Sequence, residues 1–262
     1  MNPTSGMILI QQRYASSHRE RQAELDRVRQ INSGIAAFET VHLVDGAAKR
    51  WTFADLFREA AERFAGRVCV LANSDIAFDE SIGLAGPLAE RGMLVALSRW
   101  DDAAAPSMEG RVAGEQWHFF SHSQDVWVFA AGGLPAFDAD LQLGLPQCES
   151  RLAYSAATAG VVVVNPALSI RTTHHHASAV RSWRKQEGYR GALLFPRLTT
   201  IEGLDPEALV VDRSRKLRKV EAVLRLTGSP AEFQDQIVKN SRMTGFRTLK
   251  IGLRSPFYLR KR

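Results

Sequence analysis

The stretch Val68-Cys69-Val70-Leu71-Ala72-Asn73-Ser74-Asp75-Ile76 decides the fold. Its first five residues are an unbroken apolar run of strand length, suited to a strand buried on both faces. Three small polar residues follow at once. In an open α/β sheet, ligands bind beyond the carboxyl ends of the strands. Asn73, Ser74 and Asp75 therefore stand where a ligand site is expected, provided that strand is central and parallel.

The residues upstream support that condition. Met7 to Gln11 is a short apolar run read as a first strand. Ser17 to Ile31 follows as a polar amphipathic helix, with Ala23, Leu25 and Val28 as its sparse apolar face and Ser16 or Ser17 as its cap. Thr40 to Val44 is a second strand, stopped by Asp45-Gly46. Thr52 then opens a helix in which Phe53, Leu56, Phe57, Ala60, Ala61 and Phe64 recur at helical spacing, with Gly66 ending it. Strand-helix-strand-helix-strand order predicts right-handed crossovers and a parallel sheet. Downstream, Ser81 to Arg91 reads as a helix and Met93 to Ser98 as a strand. Residues 101–115 read as a loop, Val126 to Ala130 as a strand and 132–146 as a loop. Cys148 to Ala159 reads as a helix, Val161 to Val164 as a strand, and Ile170 to His176 as an extended polar segment.

At 262 residues and 45% hydrophobic, the chain is long enough for one substantial core with a small appendage. Two cysteines, Cys69 and Cys148, are too few for a disulfide framework and read as reduced thiols of a cytoplasmic protein. The run Met7 to Ile10 is too short for a secretory apolar region and lacks a preceding basic segment. No stretch approaches the roughly 18–20 apolar residues of a membrane span. The net charge is +6, but residues 190–262 hold 16 Lys and Arg against 7 Asp and Glu, so the basic character belongs to the C-terminal part. There Arg213 to Leu226 and Ser229 to Lys239 read as helices, and the end carries Arg254, Phe257, Tyr258, Arg260, Lys261 and Arg262. The organisation expected is a main α/β domain over residues 1–188 and a basic, mainly helical extension over 189–262.

Asn73-Ser74-Asp75, with Asp79 and Glu80 just beyond, has two readings. An acidic residue at a strand end can hold a divalent cation that grips a diphosphate; equally, these residue types favour a turn. In His174-His175-His176, alternate residues of an extended segment share a face, so His174 and His176 point together, and imidazole ligates transition metals. The bland alternative is a polar strand, and no cysteine pair at zinc-ligand spacing accompanies it. Asp125, before an apolar strand, and Glu149, in a first helical turn, are each able to serve as a general base. Each has an ordinary structural role as well, Asp125 in a turn and Glu149 against the helix dipole. Cys148 reads as a small buried hydrophobe rather than a nucleophile, and the tryptophans as core or pocket walls.

Taken in order, several segments resemble a group of bacterial and viral glycosyltransferase-like proteins with the GT-A nucleotide-sugar fold. They are Ala72-Asn73-Ser74-Asp75-Ile76 with Phe78-Asp79, Ala96-Leu97-Ser98-Arg99-Trp100, and Ser123-Gln124-Asp125-Val126-Trp127. Leu143-Gly144 through Cys148-Glu149-Ser150-Arg151-Leu152-Ala153-Tyr154, then Asn165-Pro166 and Thr173-His174-His175-His176, complete the set. The resemblance runs from about Met7 to Trp183. It implies a Rossmann-like, mostly parallel central sheet flanked by helices. It also implies that Asn73-Ser74-Asp75 stands for an Asp-x-Asp motif, with Asp75 on a divalent cation, Mn²⁺ or Mg²⁺, and a late histidine, His174 or His176, completing the metal site. Glu149 stands where the related sequences have an aspartate, in the region of the catalytic base, with Asp125 as a second carboxylate. Gln11, Arg13 and Tyr14 would lie near the nucleotide with Asn73 and Ser74, and Arg99 would face the diphosphate.

The activity implied is metal-assisted, inverting transfer of a sugar from a nucleotide sugar to a glycan or lipid-linked glycan. The basic C-terminal part would suit peripheral contact with an anionic membrane surface at the inner face. Two alternatives stand beside this. One is a degenerate GT-A domain that binds a sugar nucleotide without turnover, since Asn73 is neutral. The other is a nucleic-acid-binding protein using the basic region, for which no recognised motif is present, so no nucleic acid is expected.

Overall fold

The computed structural model describes residues 6–47, 49–101, 124–176, 188–189, 192–196, 200–202, 204, 248–249 and 258–261. The chain opens with β1 (Met7–Arg13), α1 (Arg19–Ser33), β2 (Phe38–Asp45), α2 (Phe53–Arg63) and β3 (Val68–Ala72). Next come β4 (Ile76–Phe78), a 3₁₀ turn (Glu80–Ala85), α3 (Gly86–Glu90), β5 (Leu94–Leu97) and β6 (Trp100–Asp101). Then follow β7 (Val126–Ala130), α4 (Cys148–Thr158), β8 (Val163–Val164), β9 (Thr172–His174), β10 (Ala192–Phe195), β11 (Thr248–Leu249) and β12 (Tyr258–Lys261).

The central sheet has six strands in the order β2-β1-β3-β7-β5-β8. β1 pairs in parallel with both β2 and β3, and β5 with β8, whereas β7 runs antiparallel to β3 and β5. The architecture is thus α/β with a mostly parallel, mixed central sheet, compatible with a Rossmann-like fold. β3 is buried along its whole length, as an unbroken apolar strand in mid-sheet must be. The reversed strand has a direct consequence for the site. A parallel strand delivers its last residues to the carboxyl edge; an antiparallel one delivers its first. Ala72 is in register with Val126, so Asp125, just before β7, meets Asn73, just after β3.

A three-stranded sheet, β4-β9-β6, stands on that edge. Ile76 pairs with His174 and Phe78 with Thr172 in antiparallel register, while β6 runs parallel to β9. Neither β4 nor β6 was expected from the sequence, because three- and two-residue strands carry no periodicity to read.

Several local expectations need correction. α1 begins at Arg19 with His18 as its N-cap and no side-chain cap; the Ser16 hydroxyl instead accepts from the His18 amide. Ala23 is exposed, and the buried stripe of α1 is Arg21, Leu25, Val28 and Asn32. The single helix expected over Ser81 to Arg91 is a 3₁₀ turn followed by a short α-helix with proline at its start, since Pro87 supplies no amide donor to continue the earlier turn. α2 is as expected, with a capping box between Thr52 and Asp55.

The helices expected at 213–226 and 229–239, and most of the loop at 101–115, lie outside the described residues. Among the described residues of the C-terminal part, β10, β12 and β11 form an antiparallel sheet, and the end expected as a basic tail includes β12. Leu194 of β10 joins the main core. Among the described residues no helix is long and apolar enough to cross a membrane.

The loop bearing Asp75 is fixed from below by two buried amides. Gln11 Nε2 donates to the Asn73 carbonyl at 2.9 Å. Asn32 Nδ2 donates to the Ile76 carbonyl at 2.9 Å, and its Oδ1 accepts from the Phe78 amide at 3.0 Å. Asn32 is fully buried, so its removal strands the Phe78 N–H and leaves the Ile76 carbonyl with weaker support. Asn32→Ala is expected to lower the unfolding free energy by about 2–4 kcal/mol, measured by urea denaturation. A change below about 0.5 kcal/mol would contradict this account of the loop.

Candidate metal centre

Asp75 lies between the end of β3 and the start of β4, and its backbone carbonyl accepts from the His175 amide at 2.8 Å. Two imidazoles converge on one of its oxygens: His174 Nε2 and His176 Nδ1 each lie 3.3 Å from Asp75 Oδ2. One ligand atom from each of the three residues can be chosen with all lying within 4.8 Å of one another. The three side chains are only 11–13% exposed. The alternation of β9 and its continuation brings His174 and His176 together, their ring centroids 5.5 Å apart.

Ligand atoms about 2.0–2.2 Å from a tetrahedral ion sit roughly 3.3–3.5 Å from one another. The two carboxylate–imidazole spacings match that value and all three ligand atoms lie within 4.8 Å of one another, so these residues are able to hold a divalent cation. The donor chemistry also discriminates between ions. Two imidazoles and one carboxylate suit Zn²⁺, Fe²⁺ and related transition ions, and suit Mn²⁺ where water or substrate oxygens complete its shell, whereas Mg²⁺ prefers an all-oxygen shell with retained water.

A fourth group shares the same oxygen. Arg21 Nη2, reaching in from α1, donates to Asp75 Oδ2 at 2.6 Å. Burial alone would raise the Asp75 carboxyl; hydrogen bonds from His174 and His176, with Arg21 behind them, outweigh it and hold the group well below the usual carboxylate range. No sequence motif marked Arg21. The readable signal was the stripe 21, 25, 28, 32, the helical spacing that places it with Leu25 and Val28.

β9 is itself anchored by buried polar groups. The Asn165 side chain accepts from the Ser98 amide at 3.1 Å and donates to the Ser98 hydroxyl at 2.8 Å, and Thr172 Oγ1 donates to the Ser98 carbonyl at 3.2 Å. The Asn165-Pro166 and Ser98-Arg99 segments thereby position the histidine strand.

Beside the triad lies a second charged group. Asn73 Nδ2 donates to Asp125 Oδ1 at 2.7 Å, and Arg99 Nη1 donates to Asp125 Oδ2 at 3.1 Å. Asp125 is thus gripped at both oxygens, while Glu149, one residue into α4, feels its charge. Burial first, and then the Asp125 charge, push Glu149 up to about 7. The residue preceding α4's first turn, Gln147, holds a left-handed backbone with φ of 71°, a conformation that costs a non-glycine residue roughly 1–2 kcal/mol. Burial and the neighbouring Glu149 raise the Cys148 thiol well above its ordinary value, consistent with an inert buried cysteine.

The remaining expected residues fall differently. Gln11 is 2% exposed and its side chain is committed to the Asn73 loop, which it supports from beneath. Ser74 Oγ donates to the Gln12 carbonyl at 2.7 Å, a turn-fixing bond. Tyr14 reaches Arg21 through its hydroxyl at 3.2 Å, and Arg13 is exposed at the end of β1. Asp79 caps the 3₁₀ turn by accepting from the Ser81 amide, and Glu80 accepts from the Ala36 and Ala37 amides; both are structural.

The raised Glu149 carboxyl has a thermodynamic signature. Its folded pKa of about 7 lies above the ordinary value of 4.5, so between those values the folded state holds the extra proton. Stability therefore falls as pH rises through that window and levels off above it. Glu149→Gln should remove this loss, making the variant more stable than the parent by about 1–3 kcal/mol at pH 8, with little difference at pH 4.5, by urea denaturation. A parent whose stability rises over the same window relative to the variant would contradict the assignment.

No protein-family model and no curated protein matches this chain.

Proposed function

We propose that the protein is a metal-assisted glycosyltransferase of the GT-A type, moving a sugar from a nucleotide sugar to a glycan or lipid-linked glycan acceptor. The observation that carries this reading is the Asp75–His174–His176 triad at the carboxyl edge of the parallel strands, close to Asp125 and the raised Glu149 carboxyl. The strand order with one reversed member, and the ordered motifs from Asn73 to His176, support the GT-A assignment.

The chain's own residues divide the work as follows. Asp75, His174 and His176 would hold Mn²⁺. When bound, that cation supplies Lewis-acid neutralisation of a departing diphosphate. Glu149 accepts the proton of the acceptor hydroxyl at a carboxylate oxygen; a pKa near the working pH keeps it partly ionised and still basic enough for the task. Asp125, held by Asn73 and Arg99, orients this region and keeps Glu149 basic through its charge. Arg99, 24% exposed at its side chain, would add charge stabilisation to an anionic leaving group. The basic C-terminal part suits a cytoplasmic protein working at an anionic membrane face.

One observation favours a second reading. Arg21 sits on the same Asp75 oxygen as the two histidines, so the cluster is electrostatically closed by the protein itself. A sugar-nucleotide-binding domain without turnover would need no more than this.

The two are separated by incubating the protein with a panel of nucleotide sugars and Mn²⁺ and measuring released nucleoside diphosphate. Turnover is expected for one donor, falling at least about 100-fold in Asp75→Ala and in Glu149→Gln, with donor binding of the latter within about threefold. The parent's rate should fall as pH drops through about 7, where Glu149 takes up its proton. Donor binding with no turnover for any donor supports the second reading; full turnover by Asp75→Ala overturns the first.

A further inference from the structure

Arg21 is pinned rather than merely present. Its guanidinium is held on four sides: by Asp75 Oδ2 at 2.6 Å, Tyr14 Oη at 3.2 Å, Glu24 Oε2 at 3.0 Å and the His175 carbonyl at 3.2 Å. The residue is 5% exposed. Glu24 sits one turn further along α1, so the helix both presents the cation and grips it from behind. Swinging the side chain away would break contacts to three separate segments. Its charge is also permanent, because a guanidinium does not deprotonate in proteins; burial disfavours it, but the bonds to Asp75 outweigh that effect.

A divalent cation bound by Asp75, His174 and His176 would therefore share a carboxylate oxygen with a fixed positive charge. Counted formally, Asp75, Glu24 and Arg21 carry −1 in total, where the carboxylates alone would carry −2. Like charges a few ångströms apart in a mostly buried site repel strongly.

We infer that Arg21 is a built-in counter-cation that sets the metal affinity of the triad, holding it low in the unliganded protein so that stable occupancy requires an anionic ligand such as a diphosphate. This rests on the metal reading of the triad given above. The device also explains how the carboxylate stays buried and ionised without an ion. Arg21 compensates Asp75 when the metal is absent, and a bound diphosphate would offset both positive charges when it is present.

The test uses the full chain and Mn²⁺ alone, with affinity read from loss of the free-ion electron paramagnetic resonance signal. Arg21→Gln is expected to bind Mn²⁺ about tenfold or more tightly than the parent; Arg21→Lys, which keeps the charge, should stay within about threefold. Glu24→Gln, which makes the cluster more positive, should bind about threefold or more weakly. Circular dichroism reports whether each variant is folded. Unchanged or weaker binding by folded Arg21→Gln overturns the inference. Should Arg21→Gln fail to fold, Glu24→Gln decides: weaker binding supports the inference and unchanged binding overturns it. Binding that is lost in His174→Ala yet indifferent to Arg21 removes this inference alone. No Mn²⁺ binding by the parent or by Arg21→Gln removes the metal reading with it.

Discussion

A carboxylate buried at a strand end must be compensated, and at Asp75 three cationic or hydrogen-bonding groups meet on a single oxygen. Arg21, His174 and His176 arrive from α1 and from the segment continuing β9, so that one atom ties together the first helix, the third strand's end and the late histidine strand. An uncompensated charge there would cost several kcal/mol. The surrounding fold serves to bring those groups in: Asn32 and Gln11 fix the Asp75 loop, and the Ser98–Asn165–Thr172 network fixes the histidine strand.

The reversed strand β7 performs the complementary task. Had it run parallel, its first residues would lie at the opposite edge, and Asp125 would be a strand length away from Asn73. Because it runs antiparallel, the Asn73–Asp125–Arg99 bridge closes beside the triad, and the Asp125 charge reaches Glu149. Metal-ligand chemistry and a carboxyl of near-neutral pKa thus come to the same sheet edge by two separate topological routes.

Much of this was legible in the sequence, for physical reasons that differ by residue. The apolar run Val68 to Ala72 has only one sensible environment, so the polar residues after it were placed at a sheet edge with little ambiguity. His174 and His176 were readable as a pair because extended backbone alternates with period two. Arg21 was not, because an arginine in a polar helix is by default solvated; only its spacing from Leu25, Val28 and Asn32 shows that it belongs to the buried stripe. Gln11 is placed near a nucleotide only by the resemblance, and no local pattern shows that its amide satisfies the buried Asn73 loop. The direction of β7 has no local signal in the sequence, because a short apolar strand reads the same in either orientation. The strands of the C-terminal part were masked by a basic composition that suits helices equally well.

The functional reading rests on Asp75, His174 and His176 as a candidate metal centre. Its most direct test is anomalous diffraction at the manganese edge from crystals grown with Mn²⁺ and a nucleoside diphosphate. One strong anomalous peak is expected about 2.0–2.3 Å from Asp75 Oδ2, His174 Nε2 and His176 Nδ1 together, with Arg21 still on Asp75. An ordered nucleotide with no anomalous peak at that triad, or with the ion held elsewhere, would contradict it.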